Sequence, residues 1–391
     1  MVTVFTKLIV RENFPLACDG VIMERSGVAE LVLHDGTAPR WLFERMVKLA
    51  KPIVSIIVLE YGEEEFLRRI ADPFWFQALS CVLGFDWHSS GTTTVICSAL
   101  KSALDPKEHG LIATGGKGAA SLKTPEEITR AGEVFGFSEG EVERLVYSSR
   151  MAAKVDNVAI QSGYTLYHHV MFISESGKWA VVQQGMNPTF KSARRYHWLS
   201  EKVASFVNEP HSGIIGDMMH ERVLNMTAKE SEECRKISLD LVKDNPLHLK
   251  SYFSAGGTQR SLSEWIPKIN VPKRLNMRVS VNWEALRKAY EAQPENYEQL
   301  LAIRGIGPGT VRALALVSEL VFGAPPSWKD PVKYSFAFGG KDGVPYPVDK
   351  KRMDDVTSFL ERVVEEAKID VKEKVELLKK LRTLSGRYLR L

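Results

Sequence analysis

An α+β fold is predicted for this chain, with a mixed N-terminal domain carrying a β-hairpin followed by a mainly helical domain. Three observations predict it. Tyr164–Ile173 and Trp179–Gln184 read as strands on either side of Ser174-Glu175-Ser176-Gly177, a turn-forming stretch. Apolar residues recur at helical spacing through Trp283–Ala292, Tyr297–Ile303 and Pro308–Phe322. Between the two patterns, Ser251–Arg278 mixes Gly, Ser, Pro and Lys as a linker or mobile loop does. The expected layout is a domain over 23–250, a linker over 251–279 and a helical domain over 280–391.

Taken in order, residues 1–22 read as an extension, because Met23 opens a phrase that looks like a natural start. Val28–His34 is β-like. Helical patterns follow at Arg40–Leu49, Pro52–Tyr61, Glu63–Ile70 and Pro73–Leu83, the proline at 52 separating the first two. Gly84–Thr94 and Ala113–Lys123 read as polar loops. Thr124 with Glu127 resembles a capping box, and a further helix spans about Ser138–Lys154. After the hairpin, helices are expected near Ser192–Val207 and Thr227–Val242, with a final pair within Lys350–Leu389.

The whole-chain balance bounds the function classes. With 391 residues, 44% hydrophobic and 26% charged, the chain is not of disordered type. Its net charge of +4 suits a polyanionic partner without requiring one. Cys18, Cys81, Cys97 and Cys234 lie far apart, so neither a paired-cysteine zinc site nor a disulfide scaffold is expected. No apolar run reaches the ~18 residues of a membrane span, and a cytoplasmic setting is expected.

The most informative segment is Leu300-Leu301-Ala302-Ile303-Arg304-Gly305-Ile306-Gly307-Pro308-Gly309-Thr310-Val311-Arg312. Leu300, Leu301 and Ile303 form one apolar face; Gly305 and Gly307 permit a tight turn. Pro308 suits the first turn of a second helix. Loop amides and the positive end of that helix can then point at one phosphate, with Thr310 and Arg312 placed to reinforce the contact. The segment, within 297–323, resembles the helix-hairpin-helix family of DNA-binding elements. That resemblance implies DNA as partner, held by its backbone without regard to sequence through Gly305, Ile306, Gly307, Gly309, Thr310 and Arg312.

Other polar groups are candidates for chemistry. Asp86 and His88 lie in the Ser/Thr-rich stretch Asp86–Thr94 and form a potential acid–base pair. Lys117, within Gly115-Gly116-Lys117-Gly118, is placed to meet a phosphate, although the spacing is not that of a nucleotide-binding loop. His168, His169 and Gln184 lie on the hairpin, with Asp156 before it and Arg194 and Arg195 after it. Strand alternation puts His168 and His169 on opposite faces, so one at most joins a given site. Basic and aromatic residues interleaved in this way suit phosphate contact and base stacking; a solvated sheet face is the plain alternative, for His211 as well. Asp86, Asp156 and Asp217 are carboxylates for a divalent metal ion, although no motif joins them.

Ala38–Met46, Asp72–Gln77, Gly84–Gly91, Leu166–His169, Trp179–Met186, Ala193–Trp198 and Tyr334–Gly343 together resemble the archaeal and bacterial family catalogued as domain of unknown function 763. The resemblance runs from about Met23, implies a thermophilic host and carries no particular activity. The reading expected is a DNA-processing or repair enzyme, a nuclease or phosphodiesterase, with Asp86, His88, Asp156, His168, His169 and Gln184 as the residues to test. Two alternatives stay open. One is a glycosylase using Asp330 or Asp349 without the lyase lysine, since Gly309 stands in that place. The other is a binding or scaffold protein without chemistry.

Overall fold

The computed structural model describes residues 38–85, 90–216, 219–245, 248–249 and 280–332. The expected N-terminal extension, the strand at Val28–His34, the linker at Ser251–Arg278 and the final helices of Lys350–Leu389 lie outside the described residues.

Helix α1 runs unbroken over Arg40–Tyr61, with Pro52 inside it. The expected break at Pro52 is therefore corrected. Leu42, Met46, Leu49, Ile53 and Ile57 recur on one buried face across the proline, and that burial outweighs the hydrogen bond that Pro52 cannot donate. Helix α2 (Glu63–Ile70) places Glu63, Glu64 and Glu65 in its first turn and Arg68 and Arg69 in its last, matching the helix dipole at both ends. Asp72 caps α3 (Pro73–Val82) by accepting from Phe74 N at 2.8 Å, with Pro73 in the first turn. Helix α4 spans Ser90–Ala103, so Gly91–Thr94 is helical rather than loop.

A four-residue helix, α5 (Pro106–His109), leads into β1 (Leu111–Lys117). The expected phosphate loop at Gly115–Gly118 is corrected: it begins as strand. Gly115 has φ +93°, and a Cβ there would lie 2.2 Å from the His169 carbonyl oxygen on the neighbouring strand. Close strand approach, not phosphate contact, explains that glycine. Helices α6 (Ala119–Leu122), α7 (Thr124–Phe135) and α8 (Glu139–Lys154) follow. The capping box sits at Ser138 and Glu141, not at Thr124 and Glu127. Glu127 is engaged elsewhere, accepting from Gly115 N at 2.8 Å and Lys101 Nζ at 2.5 Å.

A five-stranded antiparallel sheet has the order β1-β3-β4-β5-β6, with β3 at Thr165–Ser174, β4 at Trp179–Asn187, β5 at Ser192–Leu199 and β6 at Gly213–Gly216. The hairpin expected at Tyr164–Gln184 is β3–β4. The helix expected at Ser192–Val207 is corrected: β5 pairs on both sides and is buried along its whole length. Alternation sends Val170, Phe172, Ala180, Val182 and Leu199 to a core under α1–α4. Met171, Ile173, Val181, Tyr196, Trp198 and Ile214 face a second core on the other side. With both faces covered, the polar-out half of the usual alternation is missing.

The second core also takes in α9 (Glu232–Lys243), α10 (Trp283–Ala292), α11 (Tyr297–Ala302) and α12 (Pro308–Phe322). A two-stranded sheet, β2 (Ile160–Gln161) with β7 (Leu224–Asn225), receives Ser327 as a bridge partner of Asn225. The helices after residue 280 thus share one continuous core with α8 and the sheet.

Candidate functional site

The turn between α11 and α12 uses its glycines for different reasons. Gly305 has φ +97°, and a Cβ on it would come within 2.9 Å of Ala285 Cβ. Gly307 is extended, with φ −114°, and the nearest atom to an added Cβ is Gly305 O at 3.9 Å. A Cβ on Gly309 would lie 2.2 Å from Ser280 O, so the chain leading into α10 passes directly over it. Ile306 is buried and anchors the turn from within. Arg304 and Gly305 are exposed, and no side chain caps the N-terminus of α12. Lys154 reaches the turn from α8, donating to Ile303 O at 2.8 Å.

Two residues expected to reach outward face inward. Thr310 is 1% exposed, and its hydroxyl accepts from Asn282 N at 3.1 Å. Arg312 gives Nε and Nη2 to Gln161 Oε1 at 2.9 and 2.7 Å. Gln161 in turn donates to Val158 O and Pro308 O, each at 2.9 Å. On α12 these positions point at the start of α10 and at β2, so they brace the turn.

On the sheet face under α8 lies a buried polar chain centred on Asp156. Asp156 occupies a π-helical turn, Val155–Ala159, at the end of α8, a local widening that aims its side chain inward. Trp198 Nε1 donates to Asp156 Oδ2 at 2.9 Å, Gln183 Nε2 donates to the same oxygen, and His211 Nε2 meets Oδ1. Gln183 Nε2 also donates to Ala152 O at 2.9 Å. With its amide nitrogen facing two acceptors, Gln183 turns Oε1 to His169 Nδ1 at 2.7 Å, which must therefore carry the proton. His169 Nε2 is then the acceptor for Ser149 Oγ at 2.8 Å. Burial lowers the pKa of His169 and keeps it neutral in this role.

The opposite face holds a different row. The register places Lys117, His168, Gln184 and Arg195 side by side across four strands. Thr93 of α4 donates to Gln184 Oε1, and Gln184 Nε2 donates to Tyr167 Oη. Arg195 donates to His197 Nε2 at 2.9 Å and lies 4.4 Å over the Phe76 ring. Burial pulls its pKa down to about 10. His168 is 1% exposed, has no hydrogen-bond partner among the described residues, and is pushed down to about 3, first by burial and then by His169 and Lys117. Lys117 is exposed at the end of β1.

The candidates therefore separate. Asp156 and His169 share one side of the sheet; His168 and Gln184 share the other. Asp86, His88, Asp217 and Asp349 lie outside the described residues. Arg194 and Arg195 point to opposite faces and are buried, which corrects their expected role as surface phosphate contacts. Arg194 pairs with Asp330 at 2.7 Å, both side chains fully buried, and donates to Ser162 Oγ at 2.9 Å. Asp330 also accepts from His220 N and Val332 N. Among the described residues, no three His, Cys, Asp or Glu side chains gather as ligands for a metal ion. Gln183, Trp198 and Ser149 are network partners that the sequence reading did not single out as site residues. His211, for which a solvated face was the plain alternative, is buried on Asp156. The hairpin register alone could have joined Gln183 to His169, since Ile173 opposite Trp179 requires it.

Among the described residues, no helix is long and apolar enough to cross a membrane. No curated protein and no solved structure matches the chain. A family model matches residues 27–348, a span that takes in the sheet, both cores and the glycine turn, and by that match the chain belongs to the family described as protein of unknown function (DUF763).

Proposed function

We propose that this protein holds DNA by its backbone at the Gly305–Gly309 turn, as a helix-hairpin-helix element does. The observation that carries the reading is the uncapped N-terminus of α12 beside open space at Gly307. A phosphate placed beside Gly307 meets backbone N–H groups and the positive end of the helix, on the side away from Ser280, whose backbone covers Gly309. Exposed Arg304 adds charge at the same edge. Thr310, Arg312 and Ile306 serve the grip indirectly, by fixing the turn. Binding of this kind is independent of sequence and falls steeply with salt.

The test is a titration of labelled duplex against wild type and Gly307→Val at two salt concentrations. The variant should keep its fold, because extended backbone accepts any residue, and should lose affinity for every sequence alike. Equal affinity would make the turn purely structural.

A second reading, that the protein also processes the DNA it holds, rests on the Asp156–His211 pair. A buried carboxylate that fixes the orientation of a histidine is one part of what a general base requires. His211 is itself 7% exposed, so a substrate reaches it only if this part of the core opens. A glycosylase reading gains nothing from Asp330, whose carboxylate is already held by Arg194 and two backbone amides.

A further inference from the structure

Next to the turn, α7, α8 and α11 enclose a groove of about 460 Å³. Val142, Val146 and Met151 give it an apolar floor, and Tyr147, Arg150 and Lys154 also line it. Tyr147 is 38% exposed, yet its ring is held in place. Its hydroxyl donates to Glu298 Oε1 at 2.9 Å, and its ring packs edge-on against Phe206 at 5.9 Å. Arg150 is exposed and forms no ion pair among the described residues. Glu143 is the acidic group in the lining, set against the two cations. Ala302, the last residue of α11, closes the groove, and Lys154 ties it to Ile303, where the glycine turn begins.

We propose that this groove receives an unpaired nucleobase from DNA gripped at the glycine turn. The inference deepens the DNA reading and rests on it. A fixed aromatic ring lining a groove beside apolar side chains can serve as a stacking platform, and any base offers a π-face to it. A base inside a duplex cannot enter, because both its faces are already stacked. The adjoining phosphate then lies against Arg150 and Lys154. It gives a counter-charge to Arg150, which has no ion pair among the described residues, and to Lys154, which donates to the neutral Ile303 carbonyl oxygen. An apolar protein segment would fill the floor but leave that charge unanswered. The turn thus positions duplex backbone, and the groove beside it recognises the point where pairing ends.

The experiment compares a blunt labelled duplex with the same duplex bearing a short single-stranded extension. Wild type, Tyr147→Leu, Arg150→Ala and Gly307→Val are titrated by fluorescence anisotropy, after circular dichroism confirms each fold. Wild type should prefer the extended DNA by about tenfold, the weight of one base–aromatic stack. Tyr147→Leu should abolish the preference and leave blunt-duplex affinity unchanged. Arg150→Ala, a surface change without folding risk, should reduce the preference. Gly307→Val should weaken both DNAs and keep their ratio. Equal affinity of wild type for the two DNAs, as expected if a protein segment is the occupant, overturns the proposal; so does a preference that survives Tyr147→Leu. An intact Gly307→Val with a defective Tyr147→Leu would instead remove the turn from the mechanism and leave the groove as a single-strand site.

Discussion

Asp156 accepts the indole N–H of Trp198 at 2.9 Å, and Gln183 and His211 converge on the same carboxylate. Three donors from separate parts of the chain thus share one buried acceptor group. Asp156→Ala should cost about 3 kcal/mol or more, because each donor is left buried and unmet. Asp156→Asn should cost far less. Its oxygen can keep Trp198 and Gln183, and its NH₂ can donate to His211 once that ring moves its proton to Nδ1. Urea unfolding of both variants checks this. Equal losses would show that the network depends on the charge of the carboxylate and not on its hydrogen bonds alone.

Arg194 and Asp330 form an ion pair with no exposed side-chain surface on either partner. Removing one partner strands the other as a buried charge, so Arg194→Met should destabilise by about 3–5 kcal/mol. Arg194→Met with Asp330→Asn should recover part of that loss. The folded fraction of the single variant should bind duplex DNA normally, since Arg194 lies inside the core. A binding defect without a stability defect would return Arg194 to the DNA interface.

The fold was legible where burial is one-sided. The β3–β4 hairpin, α8 and the helices from Trp283 to Phe322 carry turn residues, caps or apolar stripes that local physics reads directly. Strand β5 was not legible, because both its faces are buried and its charges find partners distant in sequence: Asp330 for Arg194, the Phe76 ring for Arg195. Arginines next to aromatic residues look like a nucleic-acid surface unless those partners are known. Of the site, the separation of His168 from His169 followed from strand alternation alone. That Thr310 and Arg312 brace the turn did not, because their partners, Asn282 and Gln161, are supplied by tertiary packing.

The glycines of the turn should respond differently to alanine. Gly305→Ala should destabilise by about 1–3 kcal/mol, since φ is +97° and the new Cβ presses on Ala285. Gly309→Ala should cost at least as much, because Ser280 backbone stands 2.2 Å from the added atom. Gly307→Ala should leave stability within about 0.5 kcal/mol of wild type. Thermal or urea unfolding of the series reads these differences. A large loss at Gly307 would mean that the space beside it is closed, and that no phosphate approaches there.

Lys154 should make binding of extended DNA depend on pH. Burial pulls its ammonium down to about 8. Below that pH it is charged and attracts the phosphate; as pH rises through it, the attraction fades. Affinity for the extended duplex should therefore fall between pH 7 and 9 at constant salt. In the free protein the same shift has the opposite consequence. Folding favours the neutral amine, so the unfolded chain binds more protons between about 8 and the ordinary lysine range, and stability rises with pH across that window. Arg150, Glu143 and Glu298 stand around the same groove, so the Lys154→Arg variant is needed to isolate one group. Arginine stays charged throughout and should flatten the affinity profile while leaving binding at pH 7 close to wild type. Anisotropy titrations of both proteins across that range decide the matter: parallel profiles would place the titrating group elsewhere and remove Lys154 from the phosphate contact.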